Sequence, residues 1–272
     1  LTSNEIEDYY FENVDNLMEK CNPDALMILV SASCIYEVTK KLIPTGVPLF
    51  IEKPPGFLPK ETNILVELAE KCETKTMIGY NRRYYSIFHK GIELINKNGG
   101  LLGLAVEGHE RFWNIVGRDI PSTIRENWIY ANSTHTIDLL RFFGGEIKSI
   151  SSLSNSLKET NGDQFVASMK FESGALGTYS SHWYSPGGWS ATLYGEGITV
   201  KFNPLEKGIW IGPDLNEHEI NPDEVDTKYK PGFYRQVEAF VKMVRNGCLE
   251  PPGMNLEKAL KTMELAKIFA NT

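Results

Sequence analysis

Two short stretches carry side chains whose types and spacing could move protons. The first is Glu52-Lys53-Pro54-Pro55, which closes the apolar run from Val47 to Ile51. Such a run reads as a buried strand, and the prolines stop its ladder because they donate no N–H. Lys53 then stands at the carboxyl end of a strand, where open α/β sheets bind their ligands. An ammonium group there can hydrogen-bond a substrate hydroxyl and stabilise negative charge developing on it. The second stretch is Asn132-Ser133-Thr134-His135-Thr136-Ile137-Asp138, in which Asn132 or Ser133 is a natural helix N-cap. His135 falls in the first turn. The positive end of the helix dipole disfavours imidazolium there, so a neutral proton acceptor is expected near pH 7. Asp138, one turn on, is placed to orient or balance it. Plainer readings of the same residues are a surface turn with a solvated lysine and a histidine that only caps its helix.

The elements that must position these groups follow from the pattern of apolar residues. Ala25 to Val30, Val47 to Ile51 and Thr76 to Gly79 are short apolar runs of the kind buried on both faces of a parallel sheet. Helices are expected over 13–20, 35–43 and 59–72, the second ended by Pro44 to Gly46. Residues 1–85 therefore read as half of a doubly wound parallel sheet, with Ser31-Ala32-Ser33 as a small-residue loop after its first strand. From Leu102 the period changes. Phe165, Ala167, Met169 and Phe171 alternate with polar neighbours, and six further strand-like stretches lie between Leu102 and Ile211. Turns such as Glu172-Ser173-Gly174 separate them as in an antiparallel meander. Helices over 86–96, 133–143, 233–246 and 256–270 complete the chain. The fold class is thus a half Rossmann-like parallel sheet in 1–85, followed by an α+β domain in 86–272 with a large open antiparallel sheet and flanking helices.

Composition removes several classes of function. The 272 residues carry a net charge of −7, and no Lys/Arg cluster suggests a nucleic-acid partner. The longest apolar runs are far short of the ~20 residues needed to span a bilayer. Cys21, Cys34, Cys72 and Cys248 are scattered, without CxxC, which fits the reducing cytoplasm. The five histidines make neither HxxxH nor HExxH, and no metal site is expected.

Taken together, the motifs resemble the Gfo/Idh/MocA family of NAD(P)-dependent oxidoreductases. The matching residues are Glu52-Lys53-Pro54, Gly79-Tyr80-Asn81-Arg82-Arg83-Tyr84, His135-x-x-Asp138-Leu139-Leu140 before Gly144, and Gly232-Phe233-Tyr234-Arg235-Gln236. The resemblance implies a Rossmann domain followed by an open sheet used for oligomerisation, most simply a dimer. It implies that Lys53 binds the reacting hydroxyl of a sugar, polyol or nucleotide sugar, and that His135 is the general base. It places Asn81, Arg82, Tyr84 and Asp138 beside the substrate, and Glu52, Pro54, Ser31 and Ser33 beside NAD or NADP, with Glu52 near the nicotinamide ribose. Trp113, Trp128, Trp183, Tyr184 and Trp189 are candidates to line a sugar pocket.

Two departures shape the expectations. No glycine precedes Gly46, so the strand–GxGxxG–helix that holds a pyrophosphate on backbone N–H groups is not in this sequence. The chain reads as N-terminally truncated, and by itself is expected to bind NAD(P) weakly. The family's acidic residue four positions before the histidine is Ala131 here. Two functions remain open: a sugar, polyol or nucleotide-sugar oxidoreductase seen as a truncated chain, or a non-catalytic homologue that keeps sugar binding and dimerisation.

Overall fold

The computed structural model describes residues 10–271, so the acidic stretch at residues 1–9 lies outside it. Three parallel strands form the first sheet, in the order β1 (Leu26–Ile28), β2 (Leu49–Ile51), β3 (Thr76–Ile78). Met27, Phe50 and Met77 stand in register across it. Helices α1 (Val14–Cys21), α2 (Ala32–Leu42) and α3 (Pro59–Lys71) accompany these strands. Leu49, Phe50 and Ile51 are all buried, as a strand covered on both faces requires. One cover is local: Ile35, Leu42, Ile43 and Leu65 pack on one side. The other comes from far along the chain. Helix α9 (Phe233–Asn246) lays Phe240 and Met243 against Phe50 and Met77. Helix α10 (Leu256–Ala270) brings Leu256 and Ala259 to the same sheet and Met263 and Phe269 to the second core.

The second sheet has eight strands: β4 (Gly103–Gly108), β5 (Ile147–Asn155), β6 (Gln164–Phe171), β7 (Leu176–His182), β8 (Trp189–Gly195), β9 (Ile198–Phe202), β10 (Gly208–Ile211) and β11 (Glu217–Ile220). Their order is β11-β10-β9-β8-β4-β7-β6-β5. This corrects the simple meander. Strand β4 inserts between β7 and β8 and runs parallel to β7, with Val106 opposite Tyr179. The remaining pairs are antiparallel. The insertion follows from burial: Leu104 and Val106 take the centre of the sheet, where Phe88, Ile137 and Leu140 cover them. These last residues come from α4 (Ser86–Lys97) and α7 (Thr134–Gly144). Between β4 and α7 run two short helices, α5 (Phe112–Val116) and α6 (Ser122–Glu126), which the apolar pattern did not announce. Strand β11 was also unmarked, since Glu217-His218-Glu219-Ile220 offers one apolar residue at a sheet edge, and the short helix α8 (Glu224–Lys228) follows it. The carboxyl ends of β2 and β3 face the amino end of α7, and the candidate site lies between them. No helix among the described residues is long and apolar enough to cross a membrane.

Candidate active site

Strand β2 ends in Ile51, which is fully buried, and the chain turns at Lys53 through a cis Lys53–Pro54 bond. The lysine crosses to the second sheet's helical edge, where Nζ donates to the carbonyl oxygen of Ala131 at 2.7 Å. Burial lowers its pKa to about 8, with Glu52 and then Glu110 resisting and Arg82 assisting the shift. His135 is 8% exposed, and its Nδ1 is buried without a hydrogen-bond partner. Tyr80 meets the ring edge-on at 6.1 Å, and Trp189 tilts over it at 5.8 Å. Burial holds the His135 pKa well below 6.5, and the positive charges of Arg82, Lys53 and Lys230 hold it down further. The imidazole is therefore neutral, as expected, but for a different reason. No clean N-cap precedes α7. Ile129–Ser133 is a π-helical turn that runs directly into it, and Ser133 has helical angles and no capping bond. Burial among cations does what the open helix end was expected to do.

The partner expected for His135 is elsewhere. Asp138 is buried and accepts from Arg83 Nε at 2.6 Å, Arg83 Nη2 at 2.8 Å and Thr262 Oγ1 at 3.1 Å. Its carboxylate joins the Asn81–Tyr84 turn to α7 and α10, and it neither orients His135 nor faces a substrate. Within that 3-10 turn the side chains diverge. Arg82 stacks on the Trp189 ring at 4.4 Å, on the His135 side. Asn81 is buried and donates to Pro231 O at 3.3 Å. Tyr84 packs away from the histidine, among Phe50, Met77, Phe240 and Met243. Tyr80, just before the turn, takes the place beside His135 expected for Tyr84.

Trp189, a pocket candidate from the sequence, belongs to this site, and so do two residues that the sequence did not single out, Glu110 and Lys230. Glu110, two residues beyond β4, is buried and accepts from Ser133 Oγ at 2.6 Å, Asn132 Nδ2 at 2.8 Å and Trp128 Nε1 at 3.0 Å. Burial raises its pKa, while these donors and Lys53 pull it down. A carboxylate thus reaches the turn that carries Ala131, from a different element. Trp189, which carries the Arg82 guanidinium on its ring, lines with Glu110, Asn132, Trp128 and Glu206 a cavity of 310 Å³. Lys230 precedes Gly232, a glycine with φ +77° whose added Cβ would sit 2.1 Å from Asn81 O. Glu110 falls in the stretch Leu102 to Phe112 that reads simply as a strand, which in fact ends at Gly108, and Lys230 lies in a loop, so the sequence carried no functional signal for either. Of the other aromatic candidates, Trp183 is core and stacks on Phe112, and Trp113 is largely exposed. Tyr184 donates to Glu159.

The strand ends also offer a place for a nicotinamide. Glu52 lies over Gly79, where a Cβ would come within 2.4 Å of Oε2, so a side chain there would displace the carboxylate. Burial raises the Glu52 pKa, and Lys53 opposes this most. Ser31 and Ser33 stand at the start of α2 with their hydroxyls 3.0 Å apart, at the end of β1. This donor set suits a ribose and a carboxamide, which Ser31, Ser33 and Glu52 would hold. Among the described residues no cluster of His, Cys, Asp and Glu could hold a metal ion.

A lysine at the end of a parallel strand and a neutral histidine from the second domain thus share one buried polar site, an arrangement suited to proton transfer at a hydroxyl. Comparison with known proteins makes this specific. Residues 2–80 match the model of the oxidoreductase family with an NAD-binding Rossmann fold, and residues 117–201 match the GFO/IDH/MocA C-terminal domain. The scyllo-inositol 2-dehydrogenase (NAD(+)) of Bacillus subtilis is 25% identical over 256 residues, covering 87% of this chain and 72% of that protein. Oxidoreductase P35 of Formosa agariphila is 22% identical over 274 residues, covering 96% and 82%. Among solved structures, a dehydrogenase from Chromobacterium violaceum shares the fold with a TM-score of 0.80 at 19% identity, over 95% of this chain and 78% of the other. The chain belongs to the Gfo/Idh/MocA family of NAD-dependent oxidoreductases.

Proposed function

We propose that this protein oxidises a hydroxyl, or reduces the matching carbonyl, of a sugar, polyol or nucleotide sugar. The observation that carries the reading is the meeting of Lys53 and a neutral, unpartnered His135 in one buried site at the strand ends. Ser31, Ser33 and Glu52 would hold a nicotinamide cofactor, which would supply the hydride acceptor or donor. The rest is done by side chains. A substrate hydroxyl beside the imidazole gives its proton to the free ring nitrogen, which burial and then repulsion from three cations keep unprotonated beforehand. The Lys53 ammonium, pointed by Ala131 O, donates to the same oxygen and stabilises its developing charge. Closure around Trp189 and Tyr80 excludes water, which strengthens these charges. Glu110 supports the catalytic reading over the non-catalytic one, because it supplies a carboxylate where Ala131 has none. The four free cysteines fit a cytoplasmic setting, and the exposed apolar outer face of β5–β7 fits a homodimer.

The test is an NAD(P)-linked turnover screen over aldoses, inositols and nucleotide sugars. Lys53→Met and His135→Asn should each lower kcat by ~10²-fold or more as positioned acid–base groups. Unaltered turnover in both variants would return Lys53 to a turn and His135 to a buried ring.

A further inference from the structure

Arg82 is the least satisfied charge in the site. Its Nε is buried with no hydrogen-bond partner. Its Nη1 makes one long contact, 3.4 Å, to Asn81 Oδ1. Among the described residues no carboxylate forms an ion pair with it, although Glu206, Glu110 and Glu52 all act on it from a distance. Compare Arg83, the next residue, whose guanidinium is held by Asp138 through two bonds of 2.6 and 2.8 Å. The same turn thus holds one arginine closed by protein and one left open. Arg82 is also fixed. Its guanidinium lies 4.4 Å over the Trp189 ring, and the same ring leans on His135 at 5.8 Å. A guanidinium pinned by its face keeps its edge for a planar partner, and a fork of N–H groups matches a carboxylate.

We propose that the substrate carries a carboxylate bound by Arg82 beside the reacting hydroxyl, so that the protein acts on a sugar acid or polyol acid in preference to a neutral sugar. This rests on the oxidoreductase reading and narrows it. The surroundings favour a carboxylate over a phosphate. Glu52, Glu110 and Glu206 stand near Lys53, Arg82 and Lys230, and these carboxylates repel a dianion more than a single negative charge. The adjoining cavity of 310 Å³, lined by Trp189 and Glu110, gives the remaining carbons room. The acid also has a chemical consequence. Arg82 is the largest charge holding the His135 pKa down, so an anion on Arg82 relieves that repulsion and makes the imidazole a better base when substrate is bound.

The experiment is calorimetry with matched sets of uronic acid, neutral aldose and aldose 6-phosphate in the glucose, galactose and mannose configurations. Each set is run with and without NADH, on the wild type, Arg82→Gln and Arg82→Lys. One uronic acid should bind at least about 30-fold more tightly than its neutral partner, the worth of a charge-assisted bidentate pair. Arg82→Gln should bring that ratio to within about threefold. Arg82→Lys, which keeps the charge but not the fork, should fall between and guards against misfolding. Turnover of neutral aldoses in preference to acids keeps the oxidoreductase reading and overturns the carboxylate. Preference for the 6-phosphate overturns it as well. So does an Arg82→Gln variant that weakens NADH and the acid by equal factors, since Arg82 would then serve the cofactor. Absence of binding and turnover across every set overturns both readings.

Discussion

Asp138 gives the sharpest division between a site residue and a brace. Sequence spacing offers it to His135, but in the structure it holds Arg83. The two groups are 2% and 11% exposed, and two bonds of 2.6 and 2.8 Å join them. Thr262 donates a third bond from α10. In Asp138→Asn the amide nitrogen must face an arginine donor, and Arg83 keeps a buried charge without its counterion. Removing one partner of such a pair costs about 3–5 kcal/mol. The lower end applies here, because the asparagine carbonyl still accepts one bond. For a chain of this size that predicts a Tm lower by roughly 6–12 °C. Urea denaturation and calorimetry give the numbers. The double variant Arg83→Met/Asp138→Leu should recover part of the loss, since no buried charge then remains. Coupling between the two sites should exceed about 1 kcal/mol, as contacting residues show. If Asp138 instead served His135, Asp138→Asn would shift the pH profile of turnover while changing Tm little. That result, or a coupling energy near zero, would refute the brace.

Other expectations follow from the same geometry. Glu52 raises the Lys53 pKa more than Glu110 does, so Glu52→Gln should move the alkaline limb of kcat/KM, centred near pH 8, further toward acid than Glu110→Gln. A shift toward higher pH in either variant contradicts the sign, because removing an anion can only weaken the ammonium. Gly232→Ala places a Cβ 2.1 Å from Asn81 O at φ +77° and should cost at least ~2 kcal/mol in chemical denaturation; a loss within experimental error would mean that the Lys230 loop moves freely. Leu153 and Val166, paired across β5 and β6, and Leu176 on β7 are exposed on the sheet's outer face. Light scattering should give a dimer mass that Val166→Glu halves, and a monomer mass for the unaltered chain at micromolar concentration would count against assembly through that face.

Strong periodicity and strand-end chemistry made much of this legible. The Leu49–Ile51 run with its proline stop placed Lys53 at a strand end, and the alternation in 165–171 marked an inner and an outer face. Pairing order was not legible. Strand β4 sits between β7 and β8 because Leu104 and Val106 are needed at the centre of the core, a long-range demand that no local pattern encodes. Side-chain partnership was the other gap. Arg82 and Arg83 are adjacent and chemically identical, yet one braces the fold and one faces the site, and only the 3-10 geometry of their turn separates them. Glu110 shows the converse case, a carboxylate delivered to the Ala131 turn from a loop just after β4, some twenty residues earlier, where spacing along the chain has no bearing on spacing in the site.

The two titrating groups of the proposed chemistry owe their poise to one cause acting on two cations of different strength. Burial disfavours the charged form of both. For His135 nothing anionic compensates: Arg82, Lys53 and Lys230 add to the desolvation, and the ring stays neutral throughout the physiological range. For Lys53 the anions Glu52 and Glu110 resist, and the ammonium persists up to about pH 8. Between these limits the site holds one state, an ammonium donor beside an imidazole acceptor, without a proton needing to pass between them. Such separation of neighbouring pKa values is what assigns donor and acceptor roles in an active site. It also fixes the pH dependence of stability. The folded Lys53 pKa lies below its unfolded value of about 10.4, so the unfolded chain binds the extra proton between pH 8 and that value, and stability rises with pH across that window. Turnover should fall over the same window as the ammonium is lost. Opposite slopes for stability and activity above pH 8 are therefore the signature of a buried catalytic lysine, and Lys53→Met should flatten the stability slope.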